Sequence, residues 1–267
     1  MKFFSIIILS LAACAPLKQS PTTLTQLSDT GTNSRFFEDP EDQLIYDAFR
    51  FEFSFTEYPK DSTAFNATCY ILDKDERLVG TGALVRSNVI MTAAHVAYRA
   101  VDGYIQFEES GPVISICTVW LHPDWLAQDD SSKDIALLKL DCEVADIKPL
   151  QIAGSDTRLY RYVSNISIVG CSLGYKKQSL PNKIIYYGKL VSAPSELKLR
   201  STTTTVWFGD SGGPMVLQGP SGDLIIVGVT ARFSMFQQKI MDFTATDVRY
   251  FSDLLNEVMD IWGEVPH

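Results

Sequence analysis

Between residues 65 and 230, short apolar runs alternate with turn residues. Thr68 to Leu72, Gly82 to Val85, Val89 to Thr92, Val113 to Trp120, Ile135 to Leu140, Ile166 to Val169, Ile184 to Val191 and Leu224 to Thr230 have strand length and strand-type residues. Asp73-Lys74-Asp75-Glu76, Glu109-Ser110-Gly111-Pro112, Leu180-Pro181-Asn182 and Gln218 to Asp223 separate them as turns. Many short strands at this spacing predict an all-β sandwich or barrel, not alternating strands and helices. The end of the chain differs. From Asp247 to Trp262 the apolar positions 248, 251, 254, 255, 258, 259, 261 and 262 fall mostly at helical spacing. This predicts a C-terminal amphipathic helix, with Thr246 or Asp247 placed to cap it. Phe49, Phe51, Phe53 and Phe55 alternate with polar residues, as in a half-buried strand. They belong to an aromatic-rich N-terminal extension, residues 36–64, expected to pack on the body.

The N-terminus carries export signals. Met1-Lys2 is a short basic start, and Phe3 to Leu11 is an apolar run too short to span a bilayer. Leu11-Ala12-Ala13-Cys14 closes it and resembles a bacterial lipobox. Residues 1–13 therefore read as a signal peptide, with Cys14 as the lipidated residue. An anchor of several acyl chains would hold the protein at the cell envelope. Ala15 after the cysteine favours the outer membrane; an ordinary cleaved signal would give a secreted protein. Residues 14–35 are rich in Ser, Thr, Pro and Gln, the composition of a flexible tether.

With 267 residues the chain is long enough for one large domain or two small ones. Its net charge of −9 would repel phosphates, so nucleic acid is not an expected partner. Cys69, Cys117, Cys142 and Cys171 are even in number in an exported chain, which favours disulfides. Cys117 with Cys142, leaving Cys69 with Cys171, is the favoured pairing among three. No Cys-x-x-Cys occurs and there are only three histidines, so neither a metal nor a cofactor is expected.

Three stretches carry chemistry. Gly209-Asp210-Ser211-Gly212-Gly213-Pro214 places a serine between glycines, where a sharp turn can expose its hydroxyl. Such a turn can also aim backbone N–H groups at one point, as a hole for a developing oxyanion. Met91-Thr92-Ala93-Ala94-His95 ends an apolar strand with an imidazole, a general base. In Lys133-Asp134-Ile135-Ala136, an acid directly precedes an apolar strand and can be buried beside that histidine. Singly, each is more often a turn, a structural histidine or a cap. Together, in the order His, Asp, Ser, they resemble the trypsin/chymotrypsin family of serine proteases over roughly residues 65–260.

The resemblance implies two packed antiparallel β-barrels in residues 65–267, with the boundary near residues 145–160, a C-terminal helix and the active site between the barrels. It implies Ser211 as nucleophile, His95 as base, Asp134 as the group that orients it, and the N–H groups of Gly209 and Ser211 as the oxyanion hole. His122, in Leu121-His122-Pro123, reads as structural. The base of the specificity pocket falls at Thr205 and Val206, where no carboxylate is available to pair with Lys or Arg. Its wall is Ala231-Arg232-Phe233, with Met241 near. Phe233 narrows the pocket, which predicts small or medium apolar side chains; alternatively Arg232 faces a substrate acid. Asp210 occupies the place of the acid that pairs with a freed amine in activated family members. No Ile-Val-Gly-Gly-like start precedes His95, and Arg35-Phe36 and Arg50-Phe51 are weak substitutes. The expected activity is endopeptidase on protein or peptide substrates. The competing reading is a catalytically silent protease-fold lipoprotein that binds.

Overall fold

The computed structural model describes residues 8–10, 63–108, 111–128, 131–157, 165–171, 176–178, 182–183, 195–201, 206, 208–218, 223–236 and 240–264. The predicted aromatic strand at Phe49 to Phe55, the run Ile184 to Val191, and the tether lie outside them.

Fifteen strands and four helices are described. β1 (Ile8–Ser10) is followed by α1 (Thr63–Ala67), β2 (Thr68–Leu72), β3 (Leu78–Arg86), β4 (Val89–Thr92), α2 (Ala94–Arg99), β5 (Tyr104–Gln106), β6 (Val113–Leu121), α3 (Pro123–Gln128) and β7 (Ala136–Leu140). β8 (Gln151–Ile152), β9 (Asn165–Gly170), β10 (Lys177–Gln178), β11 (Asn182–Lys183), β12 (Glu196–Ser201), β13 (Pro214–Gln218), β14 (Leu224–Phe236), β15 (Ile240–Asp247) and α4 (Ser252–Glu264) complete the chain. The turn foreseen after Leu72 is built on Asp73, whose carboxylate accepts from the N–H groups of Asp75 and Arg77.

β2 to β7 close into a six-stranded antiparallel barrel in the cyclic order β2-β3-β4-β7-β6-β5. Every residue of β4 and β7 is buried. That is why both are largely apolar instead of alternating, with Thr92 and Lys139 as the exceptions: one face fills the barrel and the other is covered. Ile71, Leu84, Ile90, Ile105, Leu137 and Leu138 have no exposed surface. β1 pairs with β6 opposite Thr118 to Trp120 and lies outside the closed ring. The second sheet runs β10-β9-β13-β14-β15-β12, with β11 on β9 and β8 parallel to β14. The chain crosses between the two at residues 150–153, where the Leu150 N–H donates to Leu84 O and the Ala153 N–H to Ile226 O.

The helix begins later than predicted. Thr246 is still in β15, and Asp247 caps a 3-10 turn, Val248–Tyr250, by accepting from the Arg249 N–H; α4 starts at Ser252. α4 buries Leu255, Val258, Met259 and Trp262. The buried Lys139 ammonium of β7 donates to Trp262 O, satisfying a carbonyl of the last turn. The helix is thus fastened to the first barrel.

The cysteines depart from expectation: all four are free thiols, and neither Cys117–Cys142 nor Cys69–Cys171 is bridged. Cys142 is exposed beyond β7, while the Cys117 thiol donates to Leu140 O. Cys69 and Cys171 are buried between the two sheets. Burial pushes the Cys69 thiol up to about 12, against the Coulomb pull of Lys176, and raises Cys171 well above its ordinary value. Lys176 is itself lowered by burial; its ammonium donates to Phe65 O and Thr68 O. The thiolate is the reactive form. Alkylation of the folded protein at pH 8 should therefore modify Cys142 first and spare Cys69 and Cys171 until denaturant is added. Equal rates at all sites, read by peptide mass mapping, would contradict this placement.

Candidate active site

The pairing of β4 with β7 brings the first two predicted residues together. Thr92 and Ala136 are register partners. His95 lies three residues beyond one, in the first turn of α2, and Asp134 two residues before the other. His95 Nδ1 stands 2.7 Å from Asp134 Oδ2, and the His95 backbone N–H donates to Oδ1 at 2.9 Å. A carboxylate only accepts, so an ionised Asp134 selects the tautomer in which Nδ1 donates to it, and in a neutral imidazole so held the lone pair is on Nε2. The Asp134 side chain is 6% exposed and that of His95 38%, so the acid is hidden and the imidazole is open to solvent on one side. The second sheet secures the acid: Thr246 Oγ1 donates to Asp134 O, and Ser195 Oγ to Ser132 O.

Ser211 lies in the turn that enters β13. Gly209 has φ of 96° and Gly212 of 85°, both in the left-handed region that disfavours a side chain. A Cβ on Gly212 would also fall 2.1 Å from Thr92 Oγ1 and 3.2 Å from Ala93 N. The serine turn is thereby seated on the two residues that lead into the helix of His95. A Cβ on Gly80 would meet both Val96, the neighbour of His95, and Ser211 O. The three predicted residues thus converge at the junction of barrel and sheet.

One side chain that the sequence reasoning missed holds this junction. Thr81, fully buried in β3, donates its N–H to Ser211 O at 2.8 Å and its hydroxyl to Gly209 O at 2.6 Å. The same hydroxyl accepts the Cys171 N–H, and Thr81 O accepts from Thr92 Oγ1. The Gly212 N–H goes to Thr230 O and the Gly213 N–H to Asp210 O. The N–H groups of Gly209 and Ser211, the two predicted for the oxyanion, have no hydrogen-bond partner among the described residues. Asp210 is buried and engaged, packed on Gly170, where a Cβ would strike its carboxylate. The signal for Thr81 was there to read: a polar residue between two glycines inside an apolar strand marks a close backbone approach.

Of the predicted pocket residues, Thr205 lies outside the described residues, while Val206 and Ala231 are buried. Phe233 pairs with Phe243 and Met241 with Met235, two register positions apart. β14 pairs with β13 as far as Val229, and Thr230 still bonds the Gly212 N–H and Gly213 O; beyond Thr230, one edge of β14 is open among the described residues, next to the serine turn. An extended peptide can add to such an edge through main-chain hydrogen bonds. His122 is buried edge-on against Trp120 and Phe251, as a structural residue.

Thr81→Val would leave Gly209 O and the Cys171 N–H unpaired. It should cost about 2–4 kcal/mol of unfolding free energy in denaturant titration, since each buried orphan costs about 1–3 kcal/mol. Thr81→Ser, which keeps the hydroxyl, should recover most of it; equal losses would contradict the bonding described.

The sequence profile of the trypsin-like peptidase domain matches residues 80–225, more than half of the chain, from the strand of Thr81 through Ser211. No curated protein matches the chain. The closed barrel, the second sheet and the profile agree: the chain belongs to the trypsin-like peptidase family.

Proposed function

We propose that this peptidase-type domain is a serine endopeptidase working through an acyl-enzyme. Ser211 Oγ attacks the scissile carbonyl while its proton passes to His95 Nε2. The oxyanion that forms is held by the N–H groups of Gly209 and Ser211. The imidazolium, stabilised by Asp134, gives the proton to the leaving amine, and the ester on Ser211 remains. Water then attacks that ester, losing its proton to His95; the bond from the acyl carbon to Ser211 Oγ breaks, His95 returns the proton to that oxygen, and the acid product leaves. The observation that carries this reading is the 2.7 Å His95–Asp134 pair, with the turn of Ser211 packed on Thr92 and Ala93 just before His95.

Two finer readings attach to it. The buried, engaged Asp210 of the uncut chain supports activity without zymogen cleavage. The absence of a carboxylate at Thr205 and Val206 supports a small or apolar side chain before the scissile bond. The chain is exported and held at the envelope by lipid on Cys14, the outer membrane favoured. Because the barrel closes without β1, removal of residues 1–13 would leave the ring intact.

A fluorophosphonate should label the body of the protein at Ser211, and Ser211→Ala should abolish labelling. Asp134→Asn should lower kcat about 10³- to 10⁴-fold with the fold retained, through loss of the correct tautomer. The N-terminus of the labelled band should show no cut between residue 35 and His95. Absence of label in the wild type would favour the silent binding protein. Preferred cleavage after Arg or Lys in a peptide panel would overturn the apolar pocket.

A further inference from the structure

We propose that the cleft holds a second recognition site, separate from the primary pocket, where Arg232 and Lys198 bind an acidic side chain of the substrate. It rests on the reading of the cleft as a peptidase site and names one of its substrate requirements.

β14 carries a bulge at Ala231. Thr230 pairs with Ala245, but Arg232, not Ala231, pairs with Thr244. The extra residue shifts the alternation by one, so Arg232 is turned to the Thr244 face of the sheet. Thr244 in turn pairs with Lys198, and Thr246 with Glu196. Directly paired residues, and residues two apart on a strand, share a face. Arg232, Lys198 and Glu196 therefore stand on the face of Thr246, whose hydroxyl touches Asp134. The opposite face, with Leu197 and Ala245, is the core. The charged cluster is on the side of the sheet turned to the acid of the His95 pair.

Its internal balance leaves a charge over. Arg232 Nη2 donates to Glu196 Oε1 at 2.7 Å, and Lys198 Nζ lies 3.9 Å from Glu196 Oε2. Two cations share one carboxylate. Glu196 is 10% exposed and acts as a buried strut, whereas the Arg232 side chain is 50% exposed. A guanidinium has five N–H donors in a fixed fork, and among the described residues only Nη2 of Arg232 is engaged. The remaining donors are those that take a carboxylate in two-point contact. Arg232 is also in the segment of β14 whose edge is open, so a peptide paired there passes beside it. In a chain of net charge −9, a surplus cation beside the substrate path is a local inversion suited to an acidic side chain.

The test uses the soluble body and sets of peptides identical except for Glu, Gln or Lys at the second, third or fourth residue before the scissile bond. At one position kcat/KM for Glu should exceed that for Gln about five- to tenfold, and the gap should narrow with added salt. The Glu/Gln ratio is taken within each protein, so a general loss of activity cancels. Arg232→Gln and Lys198→Gln should each shrink the ratio, and Arg232→Glu should invert the preference toward Lys, which misfolding cannot do. A wild type that takes the fluorophosphonate and cleaves peptides with no acid preference overturns this inference and leaves the endopeptidase standing, as does a preference untouched in both Gln variants. A wild type that neither labels nor cleaves overturns both.

Discussion

The site depends on Thr81. It sits in a strand of the closed barrel, yet three of its four hydrogen bonds reach the other sheet: Ser211 O, Gly209 O and the Cys171 N–H. The fourth, from Thr92, ties it to the strand that leads into the helix of His95. One buried residue thus fixes the serine turn relative to the imidazole. Only glycines could flank it, because Gly80 and Gly82 each lie where a side chain would collide. The turn keeps its left-handed glycines, and the N–H groups of Gly209 and Ser211 have no partner among the described residues.

The same economy governs the acid. Asp134 is buried, which would be costly for an unpaired carboxylate, but both of its oxygens accept from His95. Thr246 holds its backbone from the second sheet. Base and acid come from the barrel, the serine from the sheet, and each side steadies the other. The family profile spans His95, Asp134 and Ser211, while Thr246 braces Asp134 from beyond its end at residue 225.

Much of this was legible in the sequence where burial dictates residue type. β2 and β4 match the predicted runs end to end, because strands buried on both faces are mostly apolar, with Thr68 and Thr92 kept by hydrogen-bonding their hydroxyls. His95 and Asp134 were legible because each borders such a run, and Ser211 because glycines flank it. What escaped depends on partners far along the chain. β12, with its alternating Glu196, Lys198 and Arg200, resembles a solvated loop until β15 is laid beside it. Thr246 was expected to cap a helix, but its hydroxyl is spent on Asp134. The bulge that turns Arg232 outward has no glycine to announce it. The cysteines obeyed a count, and counts carry no geometry.

The account stands on a covalent intermediate at Ser211. The direct test is a rapid-mixing experiment with an activated ester, followed by intact mass and peptide mapping of the quenched protein. The account predicts a stoichiometric burst of leaving group and an acyl mass increment on the peptide carrying Ser211, absent from Ser211→Ala. Turnover without a burst or adduct, or an adduct on another residue, would contradict it.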